Sequence, residues 1–209
     1  MSSPPSLHIA DIDFPAFYAS AFASADDSAR FFSEVEALSL SDRQRVKPVL
    51  HQGARMLWLA DRMDDVARGR PALQILFFLI AAEAVAKLVF NFNGEGESRR
   101  YVQRFFKEIC GDTHRERLGR AFRLSDFLSY ETAVDFLYDV RCDVVHTGVY
   151  FMTSLLHAPG STPVVTRWTR KGRTVHPIAN ITATEIRQIV LEGALLGARI
   201  LLTKGAGKK

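Results

Sequence analysis

Cysteine is scarce: Cys110 and Cys142 are the only two in 209 residues. Two cannot build a disulfide framework, and neither has the CxxC or CxxxH spacing that holds zinc. They read as reduced thiols of a cytoplasmic protein, with no metal site expected. Residues 1–12 have no basic stretch followed by an apolar one, so no secretory signal is expected, and their two prolines and small polar residues read as a loose tail. Neither sign of charge dominates: 27 Lys and Arg stand against 23 Asp and Glu, a net charge of +4. That surplus is too small to be a nucleic-acid signature, although 20 of the 27 are arginine, whose planar fork suits phosphate. The chain also lacks a Walker loop, an HExxH helix, a GxSxG elbow and an EF-hand loop. Gly94-Glu-Gly96 misses the third glycine of a dinucleotide fingerprint, so no cofactor is expected.

No repeat is evident and no linker is long enough to divide the chain, so residues 1–209 read as one domain. At 47% hydrophobic residues it can fill a sizeable core. Its longest apolar run, 73–90, has the length of a membrane span but contains Glu83 and Lys87, each costly at a bilayer centre. A core helix is expected there, and no membrane association.

The rest of the pattern is mostly helical. Asp13-Phe-Pro opens a helix over 14–25, followed by another over 26–38. Ser41-x-x-Gln44 resembles a capping box, but Pro48 would kink a helix running through it, so the next strong helix is expected to begin near Pro48. Its apolar stripe is Met56, Leu59, Ala60, Met63, Val66 and Ala67. Helices over 71–92, 97–110, 115–122 and 130–146 follow, the first apolar nearly all round and so central to the bundle. Residues 149–178 change character. The runs 149–156, 163–169 and 173–178 are β-branched or aromatic and separated by turn residues, which predicts two or three strands with a hairpin at Lys171-Gly172. Thr182 or Thr184 caps a last helix reaching Leu202, and 203–209 is a basic tail. The fold class is all-α, a helical bundle with a small β-hairpin insertion before the last helix.

Two segments carry candidate chemistry. Arg167, Arg170, Lys171 and Arg173 surround Trp168 on the hairpin, an arrangement able to grip phosphates and stack a base, or simply a solvated turn. On the 130–146 helix, Ala133, Val134, Leu137, Val140, Val144 and Val145 form one apolar face at 100° per residue, and Arg141 projects from its middle. An arginine there must pair, line a groove or face another subunit. The plain alternative is an ion pair with Glu83. His146 lies about 140° around the helix from Arg141, so the two diverge on a regular helix.

The segment Tyr138-Asp-Val-Arg141-Cys-Asp-Val-Val-His146-Thr-Gly148 resembles the Rx4–6H signature of HEPN domains, small helical domains that often act as metal-independent ribonucleases. The spacing alone is weak, because about two such pairs arise by chance in a chain of this composition. Three occur: Arg45 with His51, Arg170 with His176, and Arg141 with His146. Only the third closes a long amphipathic helix, as HEPN signatures do, and Ala81-Ala-Glu83-Ala supplies the acid embedded in an earlier apolar helix that also recurs in such chains. The resemblance is sharp over these eleven residues and loose over 50–202.

The resemblance implies a homodimer whose composite site brings Arg141 and His146 of both copies together, with Cys142, Asp143 and Glu83 in support and RNA as substrate. His146 would move the proton of the 2′-hydroxyl or of the leaving 5′-oxygen, help worth about 10²–10⁴ in rate. Arg141 would stabilise charge on the phosphate, leaving a 2′,3′-cyclic phosphate and a 5′-hydroxyl. HEPN ribonucleases often serve as toxins or antiviral-defence effectors, which implies an antitoxin or regulatory partner. One departure stands out: the residue after the arginine is usually Asn, Asp or His, and here it is Cys142, a weak hydrogen-bonding group. That departure favours a rival, a HEPN-like module that binds nucleotide, RNA or protein without cleaving. In a third reading the pair is accidental and the domain is an unrelated helical scaffold.

Overall fold

The structure, a computed structural model, describes residues 12–170 and 172–206. Lys171, most of the expected N-terminal tail and the last three residues lie outside the described residues. The fold is mostly helical, with a small antiparallel sheet and a hairpin towards the C-terminus.

Asp13 caps α1 (Phe14–Tyr18), its carboxylate accepting from the Ala16 N–H, with Pro15 in the first turn as expected. The helix expected over 14–25 stops early. A 3₁₀ turn (Ala19–Ala21) leads into extended backbone at Phe22, whose ring packs on Phe31 and Phe32. Ser24 then caps α2 (Ala25–Glu36).

Helix α3 (Leu40–Val66) corrects two expectations. It starts well before Pro48, capped by Ser39 paired with Asp42 rather than by Ser41 with Gln44. Pro48 sits inside it because the missing N–H orphans only the Gln44 carbonyl, on an exposed side of the helix where water can satisfy it. The buried stripe is also rotated. Val49, Leu50, Gly53, Ala54, Leu57 and Ala60 face the core, whereas Met56, Leu59 and Met63 are half-buried and Val66 is exposed. Close approach selects this face: a Cβ on Gly53 would stand 2.9 Å from Ala194 Cβ.

Helix α4 (Pro71–Val89) occupies the centre, packed against α3, α7 (Tyr130–Thr147) and α8 (Ala183–Ala206). It is long and apolar enough to cross a membrane, but it serves here as the core helix. Beyond it, α5 (Ser98–Arg104) runs into a π turn (Phe105–Ile109), then α6 (Asp112–Gly119).

Phe122, expected at the end of a helix, belongs to a strand. β1 (Phe122–Arg123) and β2 (Val164–Val165) flank β5 (Ile178–Ala179), pairing Phe122 and Val164 with Ala179. The sheet is therefore not confined to the expected insertion. No strand covers 149–156, where only Leu156 makes a bridge, to Thr182. The expected hairpin is present as β3 (Trp168–Arg170) and β4 (Arg173–Val175), turned at Gly172 with φ 74°. Thr182 caps α8 reciprocally with Glu185: Glu185 N–H donates to Thr182 Oγ1 at 3.1 Å, and Thr182 N–H to Glu185 Oε2 at 2.8 Å. The helix continues through Ala206, beyond the expected start of the tail.

Two glycines of α8 make opposite demands. A Cβ on Gly193 would run into the Phe105 ring and lie 3.0 Å from Cys110 Sγ, all of it buried, whereas one on Gly197 would meet only valine methyls at 3.1 Å. Alanine gains about 1 kcal/mol of helix propensity at either site. Overpacking at Gly193 costs about 1–3 kcal/mol. The net loss of up to about 2 kcal/mol is expected to lower the melting temperature of Gly193→Ala by as much as roughly 4–8 °C, and Gly197→Ala to leave it unchanged or slightly raised, as calorimetry of the two variants will show.

Candidate functional site

The arginine and histidine lie on the last two turns of α7. Ser129 caps its start, with Thr132 N–H donating to Ser129 Oγ at 3.3 Å. Gly148, at φ 69°, ends it in the left-handed conformation that glycine favours. The inner face is buried at Ala133, Val134, Leu137 and Val140 as the periodicity predicts. The burial does not persist to the end: Val144 is half-buried and Val145 is 51% exposed, so the last turn projects from the bundle.

Arg141 faces α4. Its Nη2 stands 3.8 Å from Glu83 Oε2, the two side chains being 18% and 14% exposed, and its guanidinium lies 5.3 Å over the Tyr138 ring. The ion pair weighed from the sequence is present, but loosely. The other oxygen of Glu83 is closely held by Lys87 Nζ at 2.7 Å and the Ser98 hydroxyl at 2.7 Å. Among the described residues no side-chain N–H of Arg141 makes a hydrogen bond, so these donors stay available to an anion.

A second network joins α5, α7 and the hairpin. Arg99 donates to Asp135 Oδ1 at 3.1 Å and to Asp139, and its guanidinium lies 4.5 Å over the Tyr138 ring. Gln103 reaches the same Asp135 oxygen at 2.9 Å. The remaining oxygen of Asp139 accepts from the Trp168 indole N–H at 2.9 Å. This corrects the role expected of Trp168. It is 7% exposed and packs edge-on against Phe136, so its ring anchors the hairpin and offers no face to a base. Arg167 and Arg173 are exposed, and the backbone of Arg170 completes β3.

His146 is exposed, and among the described residues it has no hydrogen-bond or ion-pair partner. Cys142 is half-buried against the core. Asp143 is exposed at the backbone's outer side, yet partial burial and the neighbouring Asp139 carboxylate push its carboxyl above the usual range, with Arg167 pulling the other way. The structure thus brings Glu83 to Arg141, and Asp143 within electrostatic reach of Arg167. It places Arg141 and His146 on different sides of α7. Among the described residues, no three His, Cys, Asp or Glu side chains gather to hold a metal ion.

Lys87, Ser98, Arg99, Asp135 and Asp139 were not singled out from the sequence. Asp135 and Asp139 are four apart and share a helix face, which signals a common partner. That the partner is Arg99 depends on how α5 packs.

The Asp139–Trp168 contact is testable by a double-mutant cycle. A buried hydrogen bond to a charged group is worth about 1.5–3 kcal/mol. Asp139→Asn and Trp168→Phe are each expected to destabilise the fold in urea titration. Their combination is expected to cost less than the sum by at least about 1 kcal/mol; strict additivity would mean that the bond contributes nothing. No protein-family model, curated protein or solved structure matches the chain.

Proposed function

We propose that the chain is a HEPN-like, metal-independent endoribonuclease acting in the cytoplasm as a two-fold homodimer. In this reading it is a toxin or defence effector held in check by an antitoxin or regulatory partner. The observation that carries it is the state of the two residues: Arg141 is held in place by a loose ion pair while its donors stay open, and His146 stands exposed at the end of the same helix. Their divergence around α7 is what a composite site spanning two copies requires. Exposed apolar surface beside His146 supports such an interface: Val145, Tyr150 at 38% and Phe151 at 55% exposure, with Tyr150 and Phe151 in edge-to-face contact.

In the reaction, one imidazole takes the proton of the RNA 2′-hydroxyl as its oxygen bonds to phosphorus. The bond to the 5′-oxygen breaks, and that oxygen takes a proton from the protonated imidazole of the second copy's His146. Arg141 stabilises the charge gathering on the non-bridging oxygens. A second reading, binding without cleavage, is favoured by Cys142, which is packed against the core where the family usually has a polar residue, and by the burial of Trp168.

Wild-type protein is expected to cut single-stranded RNA in EDTA, leaving cyclic-phosphate ends, and to run as a dimer by light scattering at micromolar concentration. His146→Ala is expected to lose at least about a hundredfold in rate while still dimerising and binding RNA. A wild type that leaves RNA intact, or a His146→Ala variant that cuts it as fast, transfers the assignment to the binding module. A monomeric wild type removes the composite site.

A further inference from the structure

The strand pairs before and after residue 171 share one register. Val164 pairs with Ala179 and Val165 with Ile178, then Trp168 with Val175, Thr169 with Thr174 and Arg170 with Arg173. Counting on from either pair sets Thr166 opposite Pro177 and Arg167 opposite His176. The Thr166 N–H donates to the Pro177 carbonyl at 2.8 Å, in keeping with that alignment. The return bond cannot form because proline has no N–H, so the ladder is interrupted there while the strands run on. Residues 164–170 and 173–179 are therefore a single ribbon.

Side chains alternate between the two faces of a ribbon. Thr166, Trp168, Pro177 and Ala179 are buried, and Trp168 is bonded to Asp139, so their face lies on the bundle. The alternate set faces solvent. Val165 is 62% exposed, Arg167 and His176 are exposed, and the Thr169 and Thr174 hydroxyls meet at 3.0 Å on this side. Strand β1 widens the outer face, because Arg123 pairs with Ile178 and bridges to Phe127, whose side chain is 55% exposed. One row across the face is thus Phe127, Arg123, Ile178 and Val165, and the next is His176 and Arg167.

The charge of this face is one-sided. Thr166 and Pro177 occupy a hydrogen-bonded position, so Arg167 and His176 form the closer, non-hydrogen-bonded kind of pair. Arg123 stands diagonal to His176. None of the positions in these rows is acidic. Asp126 lies in the turn between Arg123 and Phe127, and Asp143 of α7 is in electrostatic range of Arg167. Among the described residues, however, no ion pair or side-chain hydrogen bond engages Arg123, Arg167 or His176. Elsewhere Arg99, Arg117 and Arg187 are each held by a carboxylate. Unpaired cations beside an exposed aromatic ring are the combination that holds a nucleic acid strand whose bases are free to stack.

We infer that this outer face binds single-stranded RNA, with Arg167 and His176 on one phosphate, Arg123 on the next and a base stacked on Phe127. The inference takes its partner from the RNA reading above and adds where on the chain the strand lies. Residues two apart on a strand are separated by about 6.7 Å, so the two rows of cations offer successive footholds to an extended backbone. A duplex keeps its bases stacked inside and leaves Phe127 unused, so the single strand is preferred. Stacking and phosphate contact do not depend on base identity, so binding is tolerant of sequence.

The test uses the full-length protein and a fluorescein-labelled oligouridylate bearing 2′-O-methyl groups. That strand lacks the nucleophile for cleavage, so anisotropy reads binding alone. The slope of log affinity against log salt is expected to shrink by about 0.7 in Arg123→Ala and in Arg167→Ala, and to be retained in the corresponding lysine variants. Phe127→Ala is expected to lose roughly fivefold or more in affinity with its slope unchanged. Arg199→Ala, whose guanidinium lies over the Phe22 and Phe31 rings, is expected to match the wild type. Circular dichroism will show the variants folded, since the side chains removed are exposed. A wild type that binds the strand as its Arg123, Arg167 and Phe127 variants do overturns the inference and leaves the RNA reading standing. Binding to phosphatidylserine vesicles but not to the strand overturns both and assigns the face to a membrane. The expected losses in a protein that leaves unmodified RNA intact in EDTA support the face and overturn the ribonuclease reading.

Discussion

A carboxylate on an otherwise apolar helix organises this molecule. Helix α4 is buried against three long neighbours, and among its residues only Glu83 and Lys87 are charged. An ionised carboxyl so placed is tolerated only when other groups supply what water would have supplied. Lys87 does so from one turn along, Ser98 from the start of α5, and Arg141 from α7. Each partner comes from a different stretch of chain, so satisfying Glu83 draws α4, α5 and α7 into register. The Arg99 bridge to Asp135 and Asp139 extends the same arrangement to the hairpin through Trp168. Among the described residues, Glu83, Asp135 and Asp139 meet Lys87, Arg99 and Arg141 along this polar seam.

With Lys87 and Ser98 on one oxygen of Glu83, Arg141 is half-buried and still available. A fork pairing with Glu83 would have taken two of its five N–H donors. Because Lys87 and Ser98 already occupy one carboxylate oxygen, Arg141 is left at 3.8 Å, close enough for charge compensation and too far for a hydrogen bond. His146 lives under different constraints, on a projecting turn beside exposed apolar side chains. The two residues of the signature thus differ in role by position alone: one is set by the core and the other by the surface.

Much of this was legible in the sequence. The central position of α4 followed from its unbroken apolar run, and the extent of α7 from its periodicity together with Gly148. The hairpin followed from its β-branched residues and turn. What escaped depended on distance along the chain. The two-residue strand at Phe122 has no periodicity of its own and exists because Ala179 pairs with it. The stripe of α3 was misplaced because large apolar side chains suggested one face, while Gly53 lets α8 approach another. The start of α3 was placed too late because proline was weighed as a breaker, and on the exposed side of a long helix its cost is small enough for packing to override. In the site, the Arg141–Glu83 pair was legible as an option, since a buried arginine needs an acid. The indole–Asp139 bond was not, because a tryptophan among arginines looks the same whether it faces solvent or core.

The π turn at Phe105–Ile109 shifts the phase of the helix it closes. A turn closed by i to i+5 hydrogen bonds holds one residue more than an α-helical turn, and Cys110 N–H indeed bonds to the Phe105 carbonyl. Phe105, Phe106 and Ile109 point inward there while Lys107 and Glu108 stay outside. The extra residue advances the chain by about 100° relative to an uninterrupted helix. Gly193 provides the space into which the displaced Phe105 ring fits. The chain then leaves the helix at Cys110 in extended backbone and enters α6 at Asp112. A glycine on the last helix and a helical irregularity near the middle of the chain are two halves of one angular adjustment.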